Sequence, residues 1–435
     1  MDLSKTQYLS DYEAFARNGA ASDPSWLDGL RSTAIEHFAD SRFPTTRDEE
    51  WRFTSVAPIV QAQFSTSHDR IEISPEKVLP FLAGSREWSR LVFVDGILSK
   101  DLSKINPAWE RATVSNIVDA AANGSNVEEH LGKVIESKAN AFVALNTAFI
   151  HDGAYIHVPA NEVIEEPLHL LFLSSGRTGV ASHPRVLIVA DRSSSASVIE
   201  TYASLSNGVS LTNAVTEVVL DDNASVHHYR LQRESENAYH IATLETKQRR
   251  DSRFSSFSLV LGGALTRNNL TLRFDGEGIE SYLDGLYVVR GTQHVDNHTF
   301  IDHATPHCNS HELFKGVLTD SARAVFSGKV LVREDAQKTD AKQTNRNLLL
   351  SPLARVNTKP MLEIFADDVK CTHGATVGQL DRDSVFYLKS RGMSADVAKI
   401  LLTHGFAMEA LDRIELEPLR EELGKLVLSK LEGNE

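Results

Sequence analysis

The sequence predicts a mainly β protein, a solenoid of stacked strands between a mixed α/β N-terminal region and a helical C-terminal region. Some thirteen short β-rich runs recur every 9 to 14 residues or so between Ala154 and about Leu331. Turn-forming residues separate them, and helical periodicity is found only before and after this stretch. The spacing fits a sandwich, a barrel or a parallel β-helix equally well. Its extent favours a solenoid, whose turns stack only on their neighbours.

The predicted organisation has three parts: an N-terminal mixed α/β domain at residues 1–150, the β core at 151–380 and a C-terminal helical domain at 381–435. The last domain shows helical periodicity from Asp383 to a Gly392 cap and from a Ser394 cap onward. A final amphipathic helix is predicted at 418–431.

The N-terminal domain mixes helical and strand patterns. Apolar residues at spacings of three and four predict two helices within residues 6–38, the second opened by Pro24. Thr46 is expected to cap an acidic helical turn with a structural role. Residues 91–98 indicate a strand broken by an Asp-Gly turn. Two further helices are predicted at 114–122 and 127–135.

Composition excludes several classes of protein. The 435 residues are 41% hydrophobic and 24% charged, as in an ordinary globular protein. A formal charge of −14 argues against nucleic acid or an anionic membrane as the main partner. Two cysteines cannot form a disulfide framework, which indicates a reducing compartment. The N-terminal segment has no apolar signal core, and no run approaches the roughly 18 apolar residues of a membrane span. We therefore expect a cytoplasmic protein.

Cys371 and His373 form the candidate functional site. In an extended segment their side chains share a face, with Cα atoms roughly 6.5 Å apart. A thiolate and an imidazole both bind iron, zinc or copper, but two donors cannot complete a tetrahedral site. Any metal would need donors from elsewhere in the chain or from a partner. A cysteine that only packs is the alternative, yet Asp367 and Asp368 before it and the glycine-flanked run 374–378 after it favour a site at a sheet edge.

A histidine-rich segment precedes this site. It contains His294, His298, His303, His307 and His311, together with the second cysteine, Cys308. On a helix these spacings would stack histidines on one face and suggest a metal site. Pro306 and the β-branched neighbours oppose a helix. We therefore expect strands and turns, with the histidines distributed over both faces and hydrogen-bonded.

Enzyme signatures are absent from the sequence. It contains no Walker loop, G-x-S-x-G elbow, HExxH pair or dinucleotide fingerprint. A chain of this length without such motifs is more typical of a scaffold or a subunit than of a self-sufficient enzyme, and we expect no catalytic residues.

Three long segments carry a resemblance to a known family. They are GLYVVRGTQHVDNHTFIDHATPHCNSHELFKGVL, ARAVFSGKVLVREDAQKTDAKQTNRNLLLS and TKPMLEIFADDVKCTHGATVGQLDRDSVFYLKSRG. The upstream segments EEWRFTS and VALNTAFIHDGAYIHVP add to it. The chain resembles the SufD branch of the SufB/SufD family of iron–sulfur cluster assembly proteins. The resemblance spans most of the chain and is dense over residues 285–405.

The resemblance implies a right-handed parallel β-helix core and a place in the SUF scaffold complex. The implied partners are a SufB paralogue, the SufC ATPase bound through the C-terminal part and, indirectly, a cysteine desulfurase. His373 matches a histidine that faces a SufB cysteine at the SufB–SufD interface, and Cys371 lies beside it. The implied ligand is transient iron or a nascent iron–sulfur cluster shared across that interface, with none stably bound by the chain alone. A homodimer of the isolated chain is left open.

Other functions compete with this interpretation. A parallel β-helix is also the fold of polysaccharide lyases, but the sequence shows neither their calcium-binding carboxylates nor a signal peptide. The chain could instead be a SufB-like homodimeric scaffold or a solitary metal-binding β-helix protein. Only two thiols are present, which is few for a scaffold that holds a cluster by itself.

Overall fold

The computed structural model describes residues 3–18, 23–66 and 70–433. Its N-terminal region combines helices with short strands. In chain order these are α1 (Leu3–Asn18), α2 (Ser25–Asp40), α3 (Ala57–Ala62), β1 (Ser65–Thr66), α4 (Pro75–Val78), β2 (Ser89–Val94), β3 (Ile97–Leu98), β4 (Thr113–Asn116), α5 (Ile117–Ala122), α6 (Val127–His130) and α7 (Ala141–Ala148). Short 3₁₀ turns occur at Glu49–Trp51, Leu79–Phe81, Pro107–Trp109 and Ser137–Ala139.

The predicted pair of N-terminal helices and the strand broken by an Asp-Gly turn are confirmed, and three other predictions for this region need correction. Thr46 is not a helix cap, because the 3₁₀ turn begins after Asp48. The first part of 114–122 is strand β4, since it pairs antiparallel with Tyr155 and Ile156. The helix predicted at 127–135 ends at His130, and the chain then turns with Gly132 in a left-handed conformation.

The predicted solenoid is confirmed. Its strands are β5 (Ala154–Val158), β6 (Leu168–Ser174), β7 (Val180–Ser182), β8 (Arg185–Ala190), β9 (Ser195–Ser204), β10 (Ser210–Leu220), β11 (Ser225–Arg233), β12 (Tyr239–Gln248), β13 (Arg253–Val260), β14 (Leu265–Phe274), β15 (Glu280–Val289), β16 (His294–His303), β17 (Asn309–Leu318), β18 (Arg323–Val332), β19 (Asp340–Leu349), β20 (Arg355–Ile364) and β21 (Lys370–Gly378). They form a parallel β-solenoid of about 8 turns.

Consecutive strands from β8 onward alternate between two sheets, and neighbours within each sheet are parallel. Residues paired on neighbouring strands lie 26 to 32 positions apart, as for Tyr239 with Leu265 or Arg323 with Arg355. Each turn of the solenoid therefore adds one strand to each sheet. Positions one turn apart stack directly on one another even though they are distant in sequence.

An apolar interior lies between the two sheets. Alternate side chains of each strand enter it, as expected from the period of two in an extended chain. Phe314 of β17 and Phe326 of β18, which belong to opposite sheets, meet there with ring centroids 5.1 Å apart. The interior continues through the stack to Ala366 and Cys371 at its last turn.

The turns of the solenoid are stacked as regularly as the strands. Asn223, Asp251, His307 and Lys338 each adopt a left-handed conformation at a turn. The backbone N–H of Asn223 donates to the carbonyl of Arg250 one turn away at 2.8 Å, and the other three make equivalent bonds. Asn and Asp tolerate positive φ well, which explains their frequency at these corners.

Three C-terminal helices follow the solenoid: α8 (Arg382–Ser390), α9 (Ala395–Leu411) and α10 (Glu417–Glu432). The predicted cap of α9 is confirmed, because the Ser394 side chain accepts a hydrogen bond from the N–H of Val397. The apolar faces of α9 and α10 pack on the outer surface of β11, β13, β15 and β17. This contact ties the C-terminal helices to one wall of the solenoid.

A buried carboxyl under this contact makes stability depend on pH. Burial raises the pKa of Asp284 on β15 to about 7, against about 4 in an unfolded chain. The folded state then holds the proton more tightly, so this contribution to stability is lost as pH rises from about 4 to about 7. Asp284→Asn should therefore stabilise the protein by about 2 kcal/mol more near pH 8 than near pH 5.

Urea unfolding midpoints of the wild type and Asp284→Asn at the two pH values test this prediction. Asp101→Asn, at an exposed carboxyl, is the matched control and should show no such difference. An equal effect of Asp284→Asn at both pH values would contradict the assignment of a raised pKa.

Candidate functional site at the open edge of the solenoid

The solenoid ends in two strands, β20 and β21, which together we call the open edge. Within the described residues, β20 pairs with β18 alone and β21 with β19 alone. Nearly every residue of β21 is exposed, whereas β19 contains buried residues along its whole length. A strand with one free side presents a row of N–H and C=O groups to which another chain can add a strand. The open edge therefore has the chemistry of an interface for a partner.

Cys371 lies at the start of β21 and is half-buried. Its side chain packs against the apolar interior, and its backbone pairs with Ala341 of β19. Burial raises the pKa of the thiol above its ordinary value, so the protonated form predominates at neutral pH. A metal ion that binds Cys371 must displace that proton, because the thiolate is the ligand.

His373 follows two positions later on the same strand. It is exposed, and it pairs in register with Gln343 of β19. Because alternate residues of a strand share a face, His373 and Cys371 lie on the same side of β21, as predicted from the sequence. The structure thus brings the two candidate donors together at the rim of the interior.

The acidic pair before Cys371 does not complete a metal site. Asp368 forms an ion pair with Lys338 and also accepts that residue's backbone N–H through its carbonyl. Asp367 is exposed. Across the described ranges, we find no group of three or more His, Cys, Asp or Glu side chains arranged to hold a metal ion. Cys371 and His373 form a pair of donors that needs further ligands.

Comparison with protein families shows to which family the chain belongs. The model of the SUF system FeS cluster assembly SufBD core domain matches residues 172–406, and that of the SufBD protein N-terminal region matches residues 2–170. The chain belongs to the SufBD family. The family resemblance inferred from the sequence is therefore confirmed, and this SufBD family member is an iron–sulfur cluster assembly protein.

Individual relatives agree with the family match. An iron–sulfur cluster assembly SufBD family protein of Synechocystis is 36% identical over 94% of this chain and 92% of its own length. The iron–sulfur cluster assembly protein SufD of Escherichia coli is 32% identical, covering 92% of each chain. SufD of Bacillus subtilis is 28% identical over 94% of this chain and 95% of its own length. The similarity to SufD proteins thus extends over the solenoid and both flanking regions.

A buried polar pair lies directly behind the open edge of this SufBD protein, and sequence analysis missed it. Glu312 of β17 pairs in register with Gln343 of β19, which in turn pairs with His373. The Gln343 amide Nε2 donates to Glu312 Oε2 at 2.5 Å, and both side chains are buried. The one available signal was spacing, since Glu312, Gln343 and His373 are each about one solenoid turn apart.

The histidine-rich segment lies on β16, β17 and the turn between them. The expectation of strands with histidines on both faces is confirmed. His294 faces outward, 2.8 Å from the Thr54 hydroxyl, whereas His303 faces the interior, 2.8 Å from the Ser310 hydroxyl. His298 lies between two carboxylates, those of Glu50 and Asp296, each 3.1 Å away. These three imidazoles therefore interact with hydroxyl or carboxylate groups of the protein itself.

The EEWRFTS segment anchors the N-terminal region to the solenoid. Trp51 is buried between the Phe142 ring, with centroids 5.9 Å apart, and the Arg267 guanidinium, 4.0 Å from the Trp51 ring. Arg267 also donates to Asp296 at 2.6 Å and to the carbonyl of Glu50 at 2.7 Å. The segment that contributed to the family resemblance therefore has a structural role.

The C-terminal helices combine a firm attachment with an exposed apolar surface. Lys315 of β17, whose side chain is buried, forms an ion pair with Glu409 of α9 and lies 3.9 Å from the Phe406 ring. Phe386 of α8 and Val397 of α9 are 71% and 54% exposed. We call the exposed side chains of Phe386 and Tyr387 on α8 and of Val397 and Leu401 on α9 the helical apolar patch. None of the described helices is both long and apolar enough to cross a membrane.

Proposed function

We propose that this chain is a SufD-type subunit of a cytoplasmic SUF scaffold complex, in which it pairs with a SufB paralogue and binds the SufC ATPase. It contributes Cys371 and His373 to a site where iron is acquired and a nascent cluster assembles, and it acts as a scaffold rather than as an enzyme. The observation that carries this proposal is the position of these two donors on the edge strand β21, one side of which is free in the described residues.

The incomplete donor set supports a shared site. A soft thiol and an imidazole are appropriate ligands for iron, but they need partners, and strand addition along β21 would bring side chains of a second chain next to them. The SufB paralogue would supply the missing ligands. This arrangement would confine the cluster to the assembled complex, where it can be built and released.

The helical apolar patch supports ATPase binding. Exposed large apolar side chains grouped on one surface are typical of a protein interface. A force applied to α9 would pass through Glu409 and Lys315 into β17, which is joined through β19 to β21. ATP-driven dimerisation of two SufC subunits would in this way shift the interface at the open edge and expose Cys371 and His373 to iron or sulfide.

The mass of the complex recovered after co-expression with the host's SufB and SufC tests the proposal. We expect an assembly that contains all three proteins, measured by native mass spectrometry. Removal of the residues after Asp381 should lower the number of SufC copies in the complex by one. That truncation also uncovers the apolar wall of the solenoid, which could disturb the complex by itself. Phe386→Asp changes only one exposed ring, so it is the more specific test, and it should also lower the SufC content by one copy.

Val163→Asp is the matched control, since Val163 is an apolar residue of 65% exposure far from the C-terminal helices in sequence. It should leave the SufC content unchanged. If the chain is recovered as a single species that binds neither SufB nor SufC, the proposal is overturned. A stable dimer of this chain that retains iron after anaerobic purification would instead favour the homodimeric scaffold, because the open edge can also accept the same strand from a second copy.

A further inference from the structure

We propose that Glu312 is a charge-compensating carboxyl for the site at the open edge: it holds a proton more tightly while the site is empty and releases it when a divalent cation binds at Cys371 and His373. This inference rests on the proposed function of those two residues. It assigns a role to a side chain that lies two strands behind them.

The first support is position. Glu312, Gln343 and His373 occupy one row across β17, β19 and β21, with the residues paired in register. Neighbouring strands are about 4.8 Å apart, so Glu312 lies about 10 Å behind His373. Gln343 lies between them and holds the Glu312 carboxyl by a 2.5 Å hydrogen bond. The carboxyl is therefore fixed at a constant distance from the candidate ligands.

The second support is an environment without counter-charge. Glu312 is 4% exposed and faces the interior, where its register partner Leu283 and the nearby Phe314 on its own strand are buried. Among the described residues it forms no ion pair, and its polar neighbours are the uncharged Gln343 amide and Thr299 hydroxyl. An isolated carboxylate in apolar surroundings is costly, so the neutral acid is favoured until a cation arrives.

The third support is the electrostatic balance. Burial raises the pKa of Glu312 to about 7, against the opposing effect of the Gln343 amide, and the Asp284 carboxyl on β15 adds to the rise. Because Cys371 loses its proton when it binds the metal, the site gains a net charge of about one. A unit charge about 10 Å away would lower the pKa of a carboxyl by roughly 1 at an effective dielectric constant of about 20. At neutral pH, binding would therefore shift Glu312 from about half ionised to largely ionised, with the proton released to solvent.

The opposite wall of the interior leaves room for the hydrogen bond between Gln343 and Glu312. Gly328 of β18 faces Gln343, and a Cβ at Gly328 would lie 2.2 Å from the Gln343 Nε2 atom. The absence of a side chain at Gly328 thus provides the space in which Gln343 reaches Glu312. A row that served only to fill the interior would not need a buried acid.

The test uses Co²⁺ as the probe, added anaerobically to the assembled complex with SufB and SufC. The signal of the site is the part of the Co²⁺ absorption that is lost in a His373→Ala complex. We expect Glu312→Gln to weaken Co²⁺ binding by about tenfold near pH 8 but by less than twofold near pH 5, where Glu312 is largely protonated with or without bound Co²⁺. The variant should also release fewer protons per Co²⁺ bound near pH 7.

Wild-type protein provides a second measurement in case Glu312→Gln does not fold. Infrared difference spectra should show loss of the carbonyl stretch of one protonated carboxyl when Co²⁺ binds. Equal affinity and equal proton release in wild type and Glu312→Gln at both pH values, or no carboxyl change in the infrared spectrum, would overturn this inference. Identical Co²⁺ binding by wild type and His373→Ala would instead overturn the proposed site itself.

Discussion

His373→Ala is expected to reduce cluster formation by the complex of this chain with SufB and SufC by at least about tenfold. Even groups that only orient a metal ligand contribute about 10- to 100-fold to affinity or activity, so loss of a direct ligand should have at least this effect. The isolated variant should remain as stable as wild type, because His373 is exposed and surface substitutions seldom change stability by more than about 0.5 kcal/mol.

Anaerobic reconstitution with iron and sulfide, followed by cluster absorbance, measures this effect. Thr372→Ala is the matched control, since Thr372 is exposed on the same strand but on the opposite face. It should assemble and form clusters normally. Native mass spectrometry must show that the His373→Ala complex still contains all partners. Normal cluster formation by an intact His373→Ala complex would exclude His373 as a ligand.

Cys371 can be separated from His373 by the same assay. If the thiol is a ligand, Cys371→Ser and Cys371→Ala should both impair cluster formation. If it only packs against the interior, both variants should lower the unfolding midpoint and leave cluster formation unchanged.

The placement of the two candidate residues on one face of a strand could be predicted from the sequence for a local reason. Cys371 and His373 are two positions apart, and the period of a strand alone places them on one face. Their location on an edge strand followed from the flanking acids and glycines. Neither inference required knowledge of how distant segments meet, so both were available before the structure.

Glu312 and Gln343 could not be predicted in the same way. They approach His373 only because the turns of the solenoid have particular lengths, and paired residues lie anywhere from 26 to 32 positions apart. An uncertainty of one residue in register would move a side chain to the other face of its strand. The strand at Thr113–Asn116 was missed for a related reason, since its partner lies about forty residues further along the chain.

Glu217→Ala is expected to destabilise the protein by about 4 kcal/mol, the largest effect on stability of any single change considered. Glu217 of β10 and Arg185 of β8 form an ion pair in which both side chains are fully buried. Removal of one partner leaves an uncompensated buried charge, which costs about 3–5 kcal/mol. Glu217 also accepts backbone N–H bonds from Gly132, Val134 and Ile135 at 3.0 to 3.1 Å, and these donors would lose their partner.

This carboxylate therefore joins two strands of the solenoid to the chain after α6, and it explains why that helix ends early. Urea unfolding of wild type and Glu217→Ala measures the loss. The exposed pair Lys104–Glu87 supplies the control, since Glu87→Ala should not shift the midpoint measurably. A double variant, Arg185→Met with Glu217→Leu, should be more stable than Glu217→Ala because no isolated charge remains. Equal destabilisation of the single and double variants would show that the backbone bonds, and not the buried charge, dominate.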